Sequence, residues 1–182
     1  MERNIALIAL FAALIAVLST VPQIHLPLGV PITAQSLGVM LCGTVLGARR
    51  GALAVALYLA VAAMGLPILA GGRGGLAPFV GPSAGFLWGY PVAAFVTGWI
   101  VQHWRASVGP VALVASMAGC VGLLYIFGIF GLWLHAPGTT AVPTIAASMA
   151  IFLPGDLVKA GLAALITQSL ARARPQSLLS RQ

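Results

Sequence analysis

Long apolar stretches alternate with short breaks rich in Pro, Gly and Arg along the whole chain. A helical crossing of a hydrocarbon core about 30 Å thick needs ~20 mostly apolar residues. The pattern predicts helical spans at residues 4–20, 32–47, 51–66, 85–102, 110–134 and 144–171. Pro22 and Pro27 bracket the first break, VPQIHLPLGVP, and the segment GARRG divides the second run from the third. The opening run from Ile5 to Leu18 follows Arg3 and has the look of a secretory signal, but no small-x-small cleavage site follows it. It is expected to be a retained first helix.

Two stretches depart from simple helical periodicity. After Pro67 the chain reads PILAGGRGGLAPFVGPSAG, apolar overall yet too rich in Gly and Pro for a continuous helix. Irregular backbone persists at membrane depth only where protein covers it or where it lines a cavity, so this loop is a candidate wall of a ligand site. An ordinary exposed interfacial loop is the competing reading. In the last region Pro154-Gly155 leaves two starts open for the helix: near residue 144, or at the proline itself with Ile145 to Leu153 forming a preceding turn or half-helix.

Composition sharpens the picture. Of 182 residues, 60% are apolar and 6% charged, against roughly a quarter charged in an ordinary soluble domain. The expectation is an all-α membrane protein, a six-transmembrane-helix bundle forming one integral membrane domain over residues 1–182. The net charge of +7 is scattered singly between apolar runs rather than gathered on one face, so nucleic acid is not the expected partner; the lipid bilayer is. Cys42 and Cys120 each sit inside an apolar run and read as packing residues, with no metal-ligand spacing. With the N-terminus in the cytoplasm, Arg3, Arg49, Arg50, Arg105, Arg172, Arg174 and Arg181 all fall inside and only Arg73 outside. The positive-inside rule therefore predicts a cytoplasmic (inner) membrane protein with both termini cytoplasmic, and outer loops at residues 23–31, 67–85 and 135–143. Trp104 and Trp133 fall at expected interfaces.

The acids are Glu2 and Asp156, so no catalytic carboxylate pair exists, and His25, His103 and His135 lie in or beside loops without a carboxylate near them in sequence. No phosphate-binding GxxxxGK[ST] loop is present, and any ATP-driven step requires another polypeptide. The expectation is a protein that is not an enzyme and uses no cofactor or metal. Asp156 and Lys159, three apart on the last span, share a helical face. An ion in lipid costs several kcal/mol, about 3 on insertion scales, so both should face the bundle interior. Either they form a structural ion pair, or they are the polar centre that recognises a small solute entering from outside. Thr33 and Gln35 at the start of the second span fit either helix capping or contact with the same solute. Ala9-xxx-Ala13 and Ala12-xxx-Ala16 put small side chains on adjoining strips of the first helix, suited to close helix approach.

Read together, VPITAQSLGVML, GLPILAGGRGGLAPFVGPSAGFLWGYP and FLPGDLVKAGLA resemble the BioY family, the biotin-specific S components of energy-coupling-factor (ECF) transporters. The resemblance covers almost the whole chain in order, and its specific parts are the Gly-rich loop and PGDxxK. It implies a six-helix S-component fold with outer loops lidding a vitamin pocket, and biotin as transported ligand. It carries substrate contacts onto Asp156, Lys159 and Arg73, with Gln35, Gly75, Gly81, Ser83 and Tyr90 at surrounding motif positions. GPSAGFLWG departs from the usual GPTGGYLxG at Ser83, Ala84 and Phe86, and the hydroxyl is lost at Phe86. Asp156 is suited to accept the ureido N–H groups, with Lys159 at that head group and Arg73, aided by Ser83, at the carboxylate; the opposite assignment of the cations stays open. Phe79, Trp88 and Tyr90 are candidates either to enclose the ring or for ordinary packing. The resemblance further implies docking, through Ala9, Ala12, Ala13 and Ala16, to a transmembrane coupling (T) subunit driven by ABC-type ATPase subunits. The alternatives are a stand-alone secondary carrier using Asp156 as a proton site, and a structural membrane subunit with no ligand.

Overall fold

The computed structural model describes residues 2–22, 33–135 and 142–181. Among them there is no strand, only an isolated bridge between Leu69 and Arg73. The helices are α1 (Glu2–Ser19), α2 (Gln35–Leu46), α3 (Ala48–Ala63), α4 (Ala84–His103), α5 (Val108–His135) and α6 (Val142–Ala173). The expected loop over residues 23–31, with His25, and residues 136–141 of the expected loop over 135–143 lie outside the described residues.

Helix ends follow local chemistry. The hydroxyls of Ser19 and Thr20 donate back to the Ala16 and Val17 carbonyls at 2.6 and 2.7 Å, and Pro22 follows. The break between α2 and α3 is narrower than GARRG suggests. Gly47 alone makes it, with a φ of +85° that L side chains rarely adopt, so Arg49 and Arg50 already belong to the first turn of α3. α3 accordingly begins at Ala48 rather than 51 and ends at Ala63, ahead of Gly65 (φ +107°) and Pro67. Pro110 lies in the first turn of α5, where a missing N–H costs nothing, so the helix starts at Val108. In α6 both expected starts are reconciled. An α-helical half, Val142–Met149, passes through a 3₁₀ turn at Ala150–Phe152 into a second half beginning at Leu153, and Pro154 occupies that half's first turn.

α1, α4, α5 and α6 are long and apolar enough to cross a bilayer, whereas α2 is a shorter apolar helix and α3 has 16 residues. At 1.5 Å per residue α2 spans only ~18 Å, less than a hydrocarbon core. α4 is central, packing on α2, α3, α5 and the 3₁₀ turn at Ala77–Phe79. Its neighbours approach through glycine: a Cβ at Gly43 would meet the Ala94 carbonyl oxygen and Thr97 Cβ at 2.7 Å. Such close backbone approach supplies the dispersion contacts that hold helices together where lipid removes the hydrophobic drive. Apolar side chains meanwhile point outward, among them Ile5, Leu10, Val17, Phe130, Val158 and Leu165. With an apolar core as well, the outer surface departs from that of a soluble protein and suits a lipid surround.

One end of the bundle is cross-braced by the segment after α6. Leu178, Leu179 and Ser180 are buried there; Ser180 Oγ donates to the Thr44 carbonyl, and Arg181 Nη2 to the Ala106 carbonyl at 3.2 Å. Arg3 donates to the Gln176 carbonyl, which ties the start of α1 to the same end. Arg49, Arg50, Arg105, Arg172 and Arg174 sit on the turns and helix ends that meet here. The cations grouped by sequence are thus grouped in space.

Candidate ligand-binding site

At the opposite end, α2, α4, α5, α6 and the Gly-rich loop surround a cavity of about 60 Å³. Its floor is polar. Asp156 and Lys159 lie one turn apart on α6, with Nζ 2.8 Å from Oδ1, and Asp156 is only 7% exposed. Both point into the bundle, and theirs is the salt bridge found among the described residues. Two further side chains complete the cluster. Tyr125 of α5 donates its hydroxyl to Asp156 Oδ2 at 2.8 Å, and Ser36 of α2 receives Lys159 Nζ at 3.1 Å while its own hydroxyl lies 3.5 Å from Oδ1. Three helices therefore converge on one carboxylate, whose negative charge is met by an ammonium and neutral donors. Charge burial without such partners is costly, by several kcal/mol per ion even after relaxation.

The wall beside α2 is held by a second network. Gln35 is buried and donates through Nε2 to the Tyr58 hydroxyl; it makes no helix-capping bond. Tyr58 donates to the Ile68 carbonyl at 3.0 Å, and the Ser19 hydroxyl shares its one proton between that carbonyl and that of Ala16. α1, α2 and α3 thus grip the loop where it leaves Pro67. Beyond that point the chain folds into a tight hairpin. Leu69 N–H donates to the Arg73 carbonyl at 2.9 Å, and Gly71 and Gly72 take φ of +75° and +67°. The turn presents buried Leu69 and Ala70 to the cavity and leaves Arg73 at its rim, exposed, with Nε donating to the Ala70 carbonyl at 3.0 Å.

Asp156, Lys159, Arg73, Gln35, Ser83 and Tyr90 all line this cavity. Gly75 and Gly81 do not. Gly75 shapes the loop, with φ +77° and its N–H on the Ala62 carbonyl at 2.8 Å, while the Gly81 carbonyl accepts from Ala84 N–H at 2.9 Å at the start of α4. Phe79 and Trp88 also lie elsewhere. Their rings pack edge-on with centroids 5.7 Å apart, and Trp88 Nε1 donates to the Phe79 carbonyl. They border a wholly different, outward-facing groove with Leu59, Ala63 and Leu76, which offers no ionic group. The larger volume of that groove, about 460 Å³, does not make it a recognition site, since specificity requires placed polar atoms.

Phe86 also lines the cavity, as do Ser36, Tyr125, Leu87, Leu124 and Phe152, which were not singled out from sequence. Ser36 sits beside Gln35, but only tertiary structure brings it to α6. Phe86, without a hydroxyl, contributes an apolar face. Among the described residues no cluster of His, Cys, Asp or Glu is arranged for a metal, and Cys42 and Cys120 are buried in the packed core. What the arrangement offers is a charged acceptor and adjacent donors at the floor, aliphatic and aromatic walls, and a guanidinium at the rim. That combination suits a small amphipathic molecule with a polar head and an anionic tail.

Comparison with known proteins agrees in kind. A solved structure described as the S-component for biotin from an ECF-type ABC transporter superposes with a TM-score of 0.86 at 29% identity, covering 94% of this chain and 92% of that one. A biotin transporter BioY of Rhodobacter capsulatus is 53% identical over the full length of both chains. One from Rhizobium etli is 48% identical over 92% of each, and a probable biotin transporter BioY of Bacillus subtilis is 36% identical over 91% of this chain and 89% of its own. The BioY family model matches residues 2–176, and the chain belongs to the BioY family.

Proposed function

We propose that this chain takes up biotin as the substrate-binding membrane subunit of a vitamin transporter, holding the ligand in the cavity floored by Asp156 and Lys159. The buried acid and half-buried ammonium on one cavity floor carry the reading, because ionisable groups inside a membrane bundle are rare, face its interior and mark a ligand path. The ureido head of biotin has N–H donors beside a carbonyl acceptor. Asp156 accepts from the first and Lys159 donates to the second, while Leu69, Phe86 and Leu124 enclose the ring. Arg73 at the rim, with Ser83 lining the same cavity, receives the carboxylate. Gln35 and Tyr90 set the walls; Gly75 and Gly81 act through loop shape. The bound molecule is moved without chemical conversion, so the protein is a transporter subunit and not an enzyme.

The remaining parts of the reading concern how the chain sits and what it meets. The chain forms one membrane domain of six crossings, with the short α2 and α3 spanning where the loop and the cavity replace lipid contact. The arginine-rich end faces the cytoplasm, and the membrane is the cytoplasmic one. The partners are a transmembrane coupling subunit and its ATPases. On α1, Ala9 and Ala13 are exposed on the strip flanked by Leu10 and Val17, while Ala12 is buried and Ala16 half-buried against the core. Ala9 and Ala13 therefore form the docking edge, and Ala12 and Ala16 set the packing behind it.

Calorimetric titration of the purified full chain with biotin and with unrelated vitamins tests the proposal. Saturable binding of biotin with none of the others is the expected result. Equal binding of several vitamins, or none of biotin, would overturn it.

A further inference from the structure

Resting on the biotin reading of the cavity, we infer that Ser36 is a ligand-contacting, specificity-determining residue whose hydroxyl transfers from Asp156 to the ureido oxygen when the ligand enters. The cluster around Asp156 is unevenly made. Tyr125 and Lys159 each approach the carboxylate at 2.8 Å, but Ser36 Oγ stands 3.5 Å from Oδ1, at the outer limit of a hydrogen bond. Lys159 Nζ, 3.1 Å from Ser36 Oγ, occupies one lone pair of that oxygen. The serine proton is thus held by a weak acceptor only, on a side chain that lines the cavity.

A carbonyl oxygen brought to ordinary bonding distance displaces that contact at little cost. When Ser36 turns, Oδ1 also regains a lone-pair site for a ligand N–H. The floor then offers an acceptor beside two donors, Ser36 Oγ–H and Lys159 Nζ–H, matching the alternation of N–H and C=O in a cyclic urea. Tyr125, on the other oxygen, keeps its partner throughout and is a positioning residue that fixes the plane of the carboxylate.

The test pairs a side-chain change with a single-atom change in the ligand. Wild type, Ser36→Ala, Ser36→Cys and Tyr125→Phe, each as the full chain and checked for an unaltered melting temperature, are titrated with biotin and with 2-thiobiotin, whose ureido oxygen is replaced by a poorly accepting sulfur. Ser36→Ala and the near-isosteric Ser36→Cys should each lose about tenfold in affinity for biotin and less than roughly threefold for 2-thiobiotin, as expected for one lost hydrogen bond. Tyr125→Phe should weaken both ligands by the same factor. Equal losses for the two ligands in both Ser36 variants, or no loss for biotin, would overturn the role of Ser36 while leaving the biotin reading standing. Failure of the wild type to bind biotin would remove both.

Discussion

Removing the charge of Asp156 while keeping its shape separates recognition from packing. Asp156→Asn should weaken biotin binding by about 1.5–3 kcal/mol, the range for a charge-assisted hydrogen bond, in calorimetric titration. Thermal unfolding should show the bundle intact, because the asparagine oxygen keeps Lys159 and Ser36 as donors and its amide N–H can donate to the Tyr125 hydroxyl oxygen in place of the bond lost at Oδ2. Arg73 is exposed at the rim, so Arg73→Gln should cost less, about 1 kcal/mol, and the loss should shrink as salt is raised. Biotin methyl ester, which lacks the anionic tail, should bind the two forms equally. The acid and ammonium were legible in the sequence because charge is so scarce here that i, i+3 spacing alone marks them. Ser36 and Tyr125 were not, since Ser and Tyr are unremarkable in an apolar chain and reach Asp156 only across helix contacts. Phe79 and Trp88 were open between enclosing the ligand ring and ordinary packing, and they border the outward groove instead of the cavity; an aromatic in an all-apolar stretch carries no polar periodicity to say which way it faces.

At the level of elements, the Gly-rich hairpin and the short α2 build the site. Gly71 and Gly72 both hold left-handed φ, so Gly71→Val should strain the turn by about 1–2 kcal/mol or more and displace Leu69, Ala70 and Arg73 together. Biotin affinity should fall while the helix content measured by circular dichroism stays unchanged. Gly43→Leu acts differently. It drives a side chain into the α4 backbone at Ala94 and should lower the melting temperature of the unliganded protein. Helix existence and order were readable from apolar runs and Pro/Gly breaks, and α4 fell within a residue of expectation at each end. The α2–α3 break was read too wide because composition shows a polar turn but not that one left-handed glycine suffices to make it. The course of α6 through Pro154 was open for a comparable reason, as a proline is equally at home ending a helix or in the first turn of the next.

For the whole molecule, the proposed function gives opposite ends opposite tasks and leaves the side of α1 to a partner. Ala9→Trp and Ala13→Trp alter an exposed strip, so each should leave biotin affinity unchanged while abolishing co-purification with the coupling subunit. Ala12→Leu enters the core and should instead lower the thermal stability of the isolated chain. The charge asymmetry that predicts sidedness was visible in the sequence, and the cross-brace by the final segment was not, because Leu178 and Leu179 follow a helix end with no periodicity to mark them as core. The most direct test of the central claim is a crystal structure with biotin bound. The ureido group should lie within roughly 2.7–3.2 Å of the Asp156 carboxylate, with its carbonyl facing Lys159. Biotin seated elsewhere, with Asp156 and Lys159 still closed on each other and no ligand atom within bonding reach, would contradict it.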